Sequence, residues 1–242
     1  MMDDPFPQGL IECIERFLAD DGARPCGKDL YEEVFSTGLF FPLQRQAELA
    51  AMIRLARTIQ PRTVMDIGTD KGGGLYHWVK CLPTVRTAIA CEIRGLPYSH
   101  AFCRTFPQVD FRWVDDGSQS DLALSVAMDC QPIDVLFIDG DKSSFEADFW
   151  RFLPFMHPGG LVFFHDITDP APGETYRKVC EIGLFHREFI DTSDSAAALA
   201  RQEAGIQSSC PHEDWLRHWA GKSCGVGVVT VSQPDERRVA KV

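Results

Sequence analysis

Apolar residues along the chain recur in two rhythms, one helical and one strand-like, and the switch between them outlines the fold. Residues from about Gln8 to Ala19 place Leu10, Ile14, Phe17 and Leu18 on one stripe, which predicts a helix. Leu30 to Phe41 is ambiguous. A clearer helix spans roughly Gln44 to Ile59, with Leu49, Met52, Ile53, Ala56 and Ile59 at helical spacing and Pro61 to stop it. Short β-rich runs bounded by Gly, Pro or Asp then appear at Thr63–Ile67, Thr87–Cys91, Asp110–Val114, Asp134–Ile138 and Leu161–Phe164. Helical stretches separate several of them, at Leu75–Cys81, Asp121–Asp129 and Ser144–Met156, the last striped by Phe145, Phe149, Phe152, Leu153 and Met156. Two further strand patterns, His186–Ile190 and Gly225–Val231, have no legible helix between them; Thr192 to Lys222 is the least readable stretch.

Strand–helix alternation predicts an α/β architecture, a Rossmann-like, doubly wound and mostly parallel sheet of seven strands. The late pair of strands fits an antiparallel edge. No repeat or low-complexity linker divides the chain. The expected organisation is an N-terminal helical extension or lid over residues 1–60, one sheet domain over 61–232 and a tail over 233–242.

In such sheets ligands bind beyond the carboxyl ends of the strands. Those ends read Asp66-Ile67-Gly68, Glu92, Asp115-Asp116-Gly117, Asp139-Gly140-Asp141-Lys142 and His165-Asp166, so almost every strand ends in an acid. Asp66-x-Gly68-x-x-x-Gly72 sets a glycine turn between the first strand and its helix, where the backbone turns sharply and approaches a ligand closely. Its spacing differs from the G-x-G-x-x-G dinucleotide fingerprint. An acid before the first glycine suits a cationic ligand better than a pyrophosphate. Glu92, ending the next strand, is placed to accept ribose hydroxyls. Asp139 and Asp141 each have a second reading as a helix N-cap, and Lys142 as a solvated first-turn lysine, although a cation is unfavourable at a helix N-terminus.

Composition narrows the field. The chain has 242 residues, is 45% hydrophobic and 24% charged, and carries a formal net charge of −11 with no Lys/Arg cluster. That speaks against nucleic acid as a partner, since phosphate contacts need a basic patch. No apolar run approaches the roughly 18 residues of a membrane span. Nine cysteines without C-x-x-C spacing, behind an acidic Met-Met-Asp-Asp-Pro start, predict reduced thiols in a cytoplasmic protein.

With these residues in place, the chain resembles class I S-adenosylmethionine (SAM) dependent methyltransferases. "FIDGDK…F…F…PGGLVFFHDI" is similar to a bacterial small-molecule methyltransferase family near the catechol and caffeoyl-CoA O-methyltransferases. The resemblance runs from about Phe41 to Val231 and is strongest at 62–92 and 133–167. It implies that Asp66, Gly68, Thr69 and Gly72 line the methionine end of the cofactor. Glu92 would hold the ribose, Asp116-Gly117-Ser118 would lie beside the adenine, and Asp139 would border both cofactor and acceptor. It also implies a divalent metal, Mg²⁺ or another, on Asp139 and the His165-Asp166 pair, with Lys142 as base. Alternatively His165 is the base and no metal binds. Alternation along a strand allows His165 and Asp166 to face one ion only if the strand has already ended.

Asp139-Gly140-Asp141-Lys142 lacks the Pro-Pro-Tyr/Phe run of many nitrogen methyltransferases, which favours O-methylation of a small-molecule acceptor. Phe35, Phe40, Phe41 and Gln44 are candidate lid residues, and Trp215 and Trp219 line a pocket or pack as one helix face. A homodimer through the N-terminal helices fits by analogy. Two other functions compete: a nicotinamide-dependent oxidoreductase, and a methyltransferase-like binding protein without catalysis.

Overall fold

The computed structural model describes residues 8–19, 44, 46–181, 185–189 and 224–231. The parallel strands form where the apolar runs predict them. They are β1 (Thr63–Ile67), β2 (Thr87–Cys91), β3 (Asp110–Val114), β4 (Ile133–Ile138) and β5 (Met156–His165). The two late strands are β6 (Phe185–Phe189) and β7 (Val226–Thr230). All seven belong to one sheet in the order β3-β2-β1-β4-β5-β7-β6. Strands β1 to β5 pair in parallel, and β7 runs antiparallel between β5 and β6. The order reverses between β1 and β4, so the crevice for a ligand opens where Asp66 and Asp139 end their strands.

Every residue of β1 is buried, as expected of a parallel strand covered on both faces. Val64, Ala88, Ala90, Val135, Phe137, Leu161 and Phe163 face one core, and Met65, Ile67, Ile89, Leu136, Ile138, Val162 and Phe164 the other. Helices α1 (Gln8–Phe17), α2 (Gln46–Ile59), α3 (Gly73–Cys81) and α4 (Ser99–Thr105) cover the first face. Helices α5 (Asp121–Cys130), α6 (Phe145–Phe152) and α7 (Pro170–Glu181) cover the second. Ile14 in α1 and Leu18 just after it are buried; in α2, Leu49, Met52, Ile53 and Ala56 are.

Three local expectations need correction. The helix expected to reach Met156 ends at Phe152, because Pro154 lacks an amide hydrogen and the chain tightens into a 3-10 turn over Leu153–Phe155. Met156 instead begins β5, which runs well beyond Leu161–Phe164 and pairs with Ile133 at its start. Helices α4 and α7 carry no clear periodic signal. The first is only seven residues long, and the second opens Pro-Ala-Pro-Gly, poor helix formers that are tolerated in a first turn. Among the described residues no helix is long and apolar enough to cross a membrane. Phe35, Phe40, Phe41, Trp215 and Trp219 lie outside the described residues.

Candidate active site

The turn after β1 is built by glycines for two distinct reasons. Gly68 and Gly72 adopt φ of 84° and 85°, the left-handed region that costs a side-chain-bearing residue energy. A Cβ on Gly68 would also lie 2.6 Å from the carbonyl carbon of Asp139, so the β1 and β4 loops touch there backbone to backbone. Gly68 and Thr69 donate their amides to the Cys91 carbonyl, and the Thr69 hydroxyl turns back to the Asp66 carbonyl. Thr69 therefore shapes the loop in this structure.

Asp66 is 1% exposed, and neither of its carboxylate oxygens has a hydrogen-bond partner. Gly74, at the start of α3, leaves room above it: a Cβ there would sit 3.1 Å from Asp66 Oδ2 and 3.9 Å from Gln44 Oε1. Gln44 Oε1 is likewise buried and without a partner, while Gln44 Nε2 donates to Asp139 Oδ2 at 2.7 Å. Burial, followed by the charges of Asp139 and Glu92, pushes the Asp66 carboxyl well above its ordinary pKa. Two buried acceptors aimed at one glycine-lined space call for a cationic hydrogen-bond donor. The ammonium of adenosylmethionine is such a group, so these residues fit the cofactor.

Glu92, 4% exposed, already accepts three hydrogen bonds. Its Oε2 accepts the Asp70 amide at 2.8 Å, and Oε1 accepts the amide and Nε of Arg94 at 3.1 and 3.0 Å. The Arg94 guanidinium also reaches Asp70 Oδ1 at 2.5 Å. A carboxylate has about four acceptor positions, so Oε2 retains room for one further donor. Next to Glu92, Ile93 is 71% exposed, and Gly117 lies against it. Asp116 accepts the Gly117 amide at 2.7 Å, Ser118 is buried, and Ser120 caps α5 through Ala123 N. The β2 and β3 loops thus flank an apolar surface beside the acid. Asp70 and Arg94 were invisible as site residues in the sequence, because nothing in their spacing ties them to Glu92.

The third group collects at the ends of β4 and β5. His165 Nδ1 lies 2.9 Å from Asp139 Oδ1 and 3.2 Å from Asp166 Oδ1. Lys142 Nζ lies 3.0 Å from Asp139 Oδ1 and also pairs with Asp166 Oδ2. The alternation that threatened to separate His165 from Asp166 does not apply: β5 ends at His165, and Asp166 takes φ 56°, turning its side chain back. Left-handed geometry at a non-glycine residue is strain of the kind that gathers at functional sites.

Burial opposes charge on His165 and Lys142, but Asp139 and Asp166 outweigh it, and both cations have raised pKa values. Asp166, despite its own burial, is held far below its usual value by His165 and Lys142. Asp141 is no helix cap. It accepts the Ser143 amide and orders the turn ahead of α6. Asp139 and Asp166 already converge on the Lys142 ammonium, and two carboxylates beside an imidazole are a donor set of the kind that divalent cations use.

Residues 65–167 match the family described as a methyltransferase domain. Nearly the whole chain has the fold of solved methyltransferases at low identity. The O-methyltransferase TomG from Streptomyces achromogenes, in complex with SAM, is 15% identical, with 96% of this chain and 100% of that chain covered at a TM-score of 0.51. The Bacillus cereus O-methyltransferase in complex with SAH is 14% identical, covering 91% and 99% at 0.50. The N-methyltransferase NodS from Bradyrhizobium japonicum is 13% identical, covering 96% and 100% at 0.51. No curated protein matches. The matched segment carries the glycine turn and the ligand-side ends of the parallel strands, and it is there that the chain is similar to a methyltransferase domain.

Proposed function

We propose that the protein methylates a hydroxyl oxygen of a small molecule, with Asp139, Lys142, His165 and Asp166 forming the reaction site. The observation that carries the cofactor half is the pair of buried, unpartnered acceptors, Asp66 and Gln44 Oε1, facing the glycine turn. Strand β7, inserted antiparallel beside β5, also departs from the dinucleotide-binding order 3-2-1-4-5-6 and weighs against a nicotinamide enzyme. The O-methyl half rests on the charged cluster.

Methyl transfer is an in-line displacement: the acceptor oxygen bonds the methyl carbon, the carbon–sulfur bond breaks, and the electron pair stays on sulfur. Alignment supplies much of the rate, and the hydroxyl proton needs a receiver. Asp139 lies between the two halves. Its backbone packs on Gly68 and its carboxylate joins Gln44, Lys142 and His165. Asp139, His165 and Asp166 would hold a divalent ion, which when bound lowers the pKa of a coordinated hydroxyl. Lys142 keeps its proton through the charges of Asp139 and Asp166; once these are shared with another cation it becomes the base. The Asp139-x-x-Lys142 spacing supports kinship with the catechol and caffeoyl-CoA group.

A panel of hydroxylated and aminated acceptors, assayed with labelled SAM, tests this reading. Methyl ethers from hydroxyl acceptors, lost with chelator and restored by a divalent ion, are expected. Methylated amines as the main products would overturn the choice of oxygen. Activity indifferent to chelator would leave Lys142 and His165 to act without metal.

A further inference from the structure

Beside His165 the sequence motifs left one neighbour unused. Cys224, immediately before the Gly225-Val226 start of β7, is 3% exposed. One ligand atom each from His165, Asp166 and Cys224 lie within 4.8 Å of one another. The cysteine is fixed on both sides. The Cys224 carbonyl accepts the Thr168 amide at 3.2 Å and the Thr168 hydroxyl at 3.0 Å, while the next residue, Gly225, donates its amide to Glu48 Oε1 at 2.9 Å. Asp166, left-handed at φ 56°, brings its Oδ1 to 3.2 Å from His165 Nδ1. His165 Nε2 is buried without a partner, and Nδ1 sits against the Asp139 carboxylate. Metal-bound histidines typically have this arrangement, one ring nitrogen held by a carboxylate and the other left for the ion.

We propose that His165, Asp166 and Cys224 form a metal centre for a borderline transition-metal ion of the Zn²⁺ kind, with Asp139 orienting the imidazole. This rests on the reading of the β4–β5 cluster as a cation site, replaces Mg²⁺ as the occupant and puts Cys224 in place of Asp139 as the third ligand. Mg²⁺ takes oxygen ligands in near-octahedral geometry, whereas a thiolate, an imidazole and a carboxylate are a zinc donor set with a fourth position open. Ligand binding removes the thiol proton and leaves the Cys224 sulfur as thiolate on the ion. The open position would be the one offered to an acceptor oxygen.

The test uses the full chain, stripped with chelator and titrated with Co²⁺ and then Zn²⁺. A thiolate-to-cobalt charge-transfer band is expected, together with tight, near-stoichiometric Zn²⁺ binding and weak Mg²⁺ binding. Cys224→Ser should abolish the band and weaken Zn²⁺ binding roughly tenfold or more, the scale at which even outer-shell ligand changes act. Cys224→Asp should recover part of the affinity without the band. SAM affinity, measured by calorimetry on the same variants, should stay unchanged, which separates a lost ligand from a lost fold. Cobalt binding without the band, or affinity indifferent to Cys224→Ser, would overturn the proposal. Failure of the wild type to bind SAM would instead overturn the cofactor reading and leave the metal result standing.

Discussion

A carboxylate buried without a partner is costly, and Asp66 shows where that cost is placed. Its folded-state pKa lies above the ordinary carboxylate value, so the cofactor-free fold prefers the protonated form. The contribution of Asp66 to stability is therefore present at low pH and lost as pH rises from the ordinary value through the raised one. Asp66→Asn removes that loss, and at neutral pH the cofactor-free variant should melt higher than wild type. SAM affinity should fall by roughly 10- to 100-fold, the loss expected for a hydrogen bond to a charged group. The wild-type affinity should also drop as pH falls through the raised Asp66 pKa, because an uncharged carboxyl attracts an ammonium less. Calorimetry across pH checks both, and a variant whose affinity keeps the wild-type pH profile would remove Asp66 from the cofactor site. Glu92 makes a different case, since Arg94 and the Asp70 amide already occupy much of it. Glu92→Ala should weaken SAM binding twice over, by losing the ribose acceptor and by releasing the Asp70 turn; unchanged affinity by calorimetry would reject the assignment.

Elements explain how much of this was readable. Strands β1 and β2 coincide with the apolar runs because parallel strands buried on both faces are largely apolar. The edge strand β3 is legible by its alternation, with exposed Asp110 and Arg112 alternating with Phe111 and Trp113. The acids ending those strands were readable for the same reason: once a strand end is known, the ligand edge is known. What was lost involves contacts between distant segments. Asp66's lack of partners, Gln44's bond to Asp139 and Cys224's place beside His165 all depend on segments far apart in the chain being brought together. The antiparallel entry of β7 brings Cys224 to the site, and no local pattern encodes it.

One bond tests that entry. Gly225 donates its amide to Glu48 on α2, tying the helix to the start of β7. Glu48→Ala strands that amide and should cost about 1–3 kcal/mol in denaturant unfolding. Gly68→Ala should cost at least as much, since φ 84° and the Asp139 backbone both oppose a side chain. A neutral result in either would mean that the β1, β4 and β7 ends are not locked together as described.

For the molecule as a whole, the two faces of the sheet divide the work. Helices α5, α6 and α7 bury the second core, with Phe145, Phe149 and Phe152 fully enclosed. The first face carries Gln44, Asp66, His165 and the helices ahead of the sheet, so the groups with unsatisfied polar atoms lie mainly on one side. A fold that concentrates its electrostatic cost there should gain stability when a cationic ligand arrives. Binding at about 100 times Kd contributes ~2.7 kcal/mol. For a chain of this size that corresponds to a rise in Tm of roughly 5–10 °C. SAM, which bears the ammonium and sulfonium, should produce that rise, and NADH or NADPH at equal concentration should not. The same ligand should stabilise Asp66→Asn far less, because the substitution has already relieved the strain that binding relieves. A nicotinamide cofactor that raised Tm as much as SAM would contradict the charge argument at its root, since a pyrophosphate brought to an unpaired carboxylate should be repelled rather than bound.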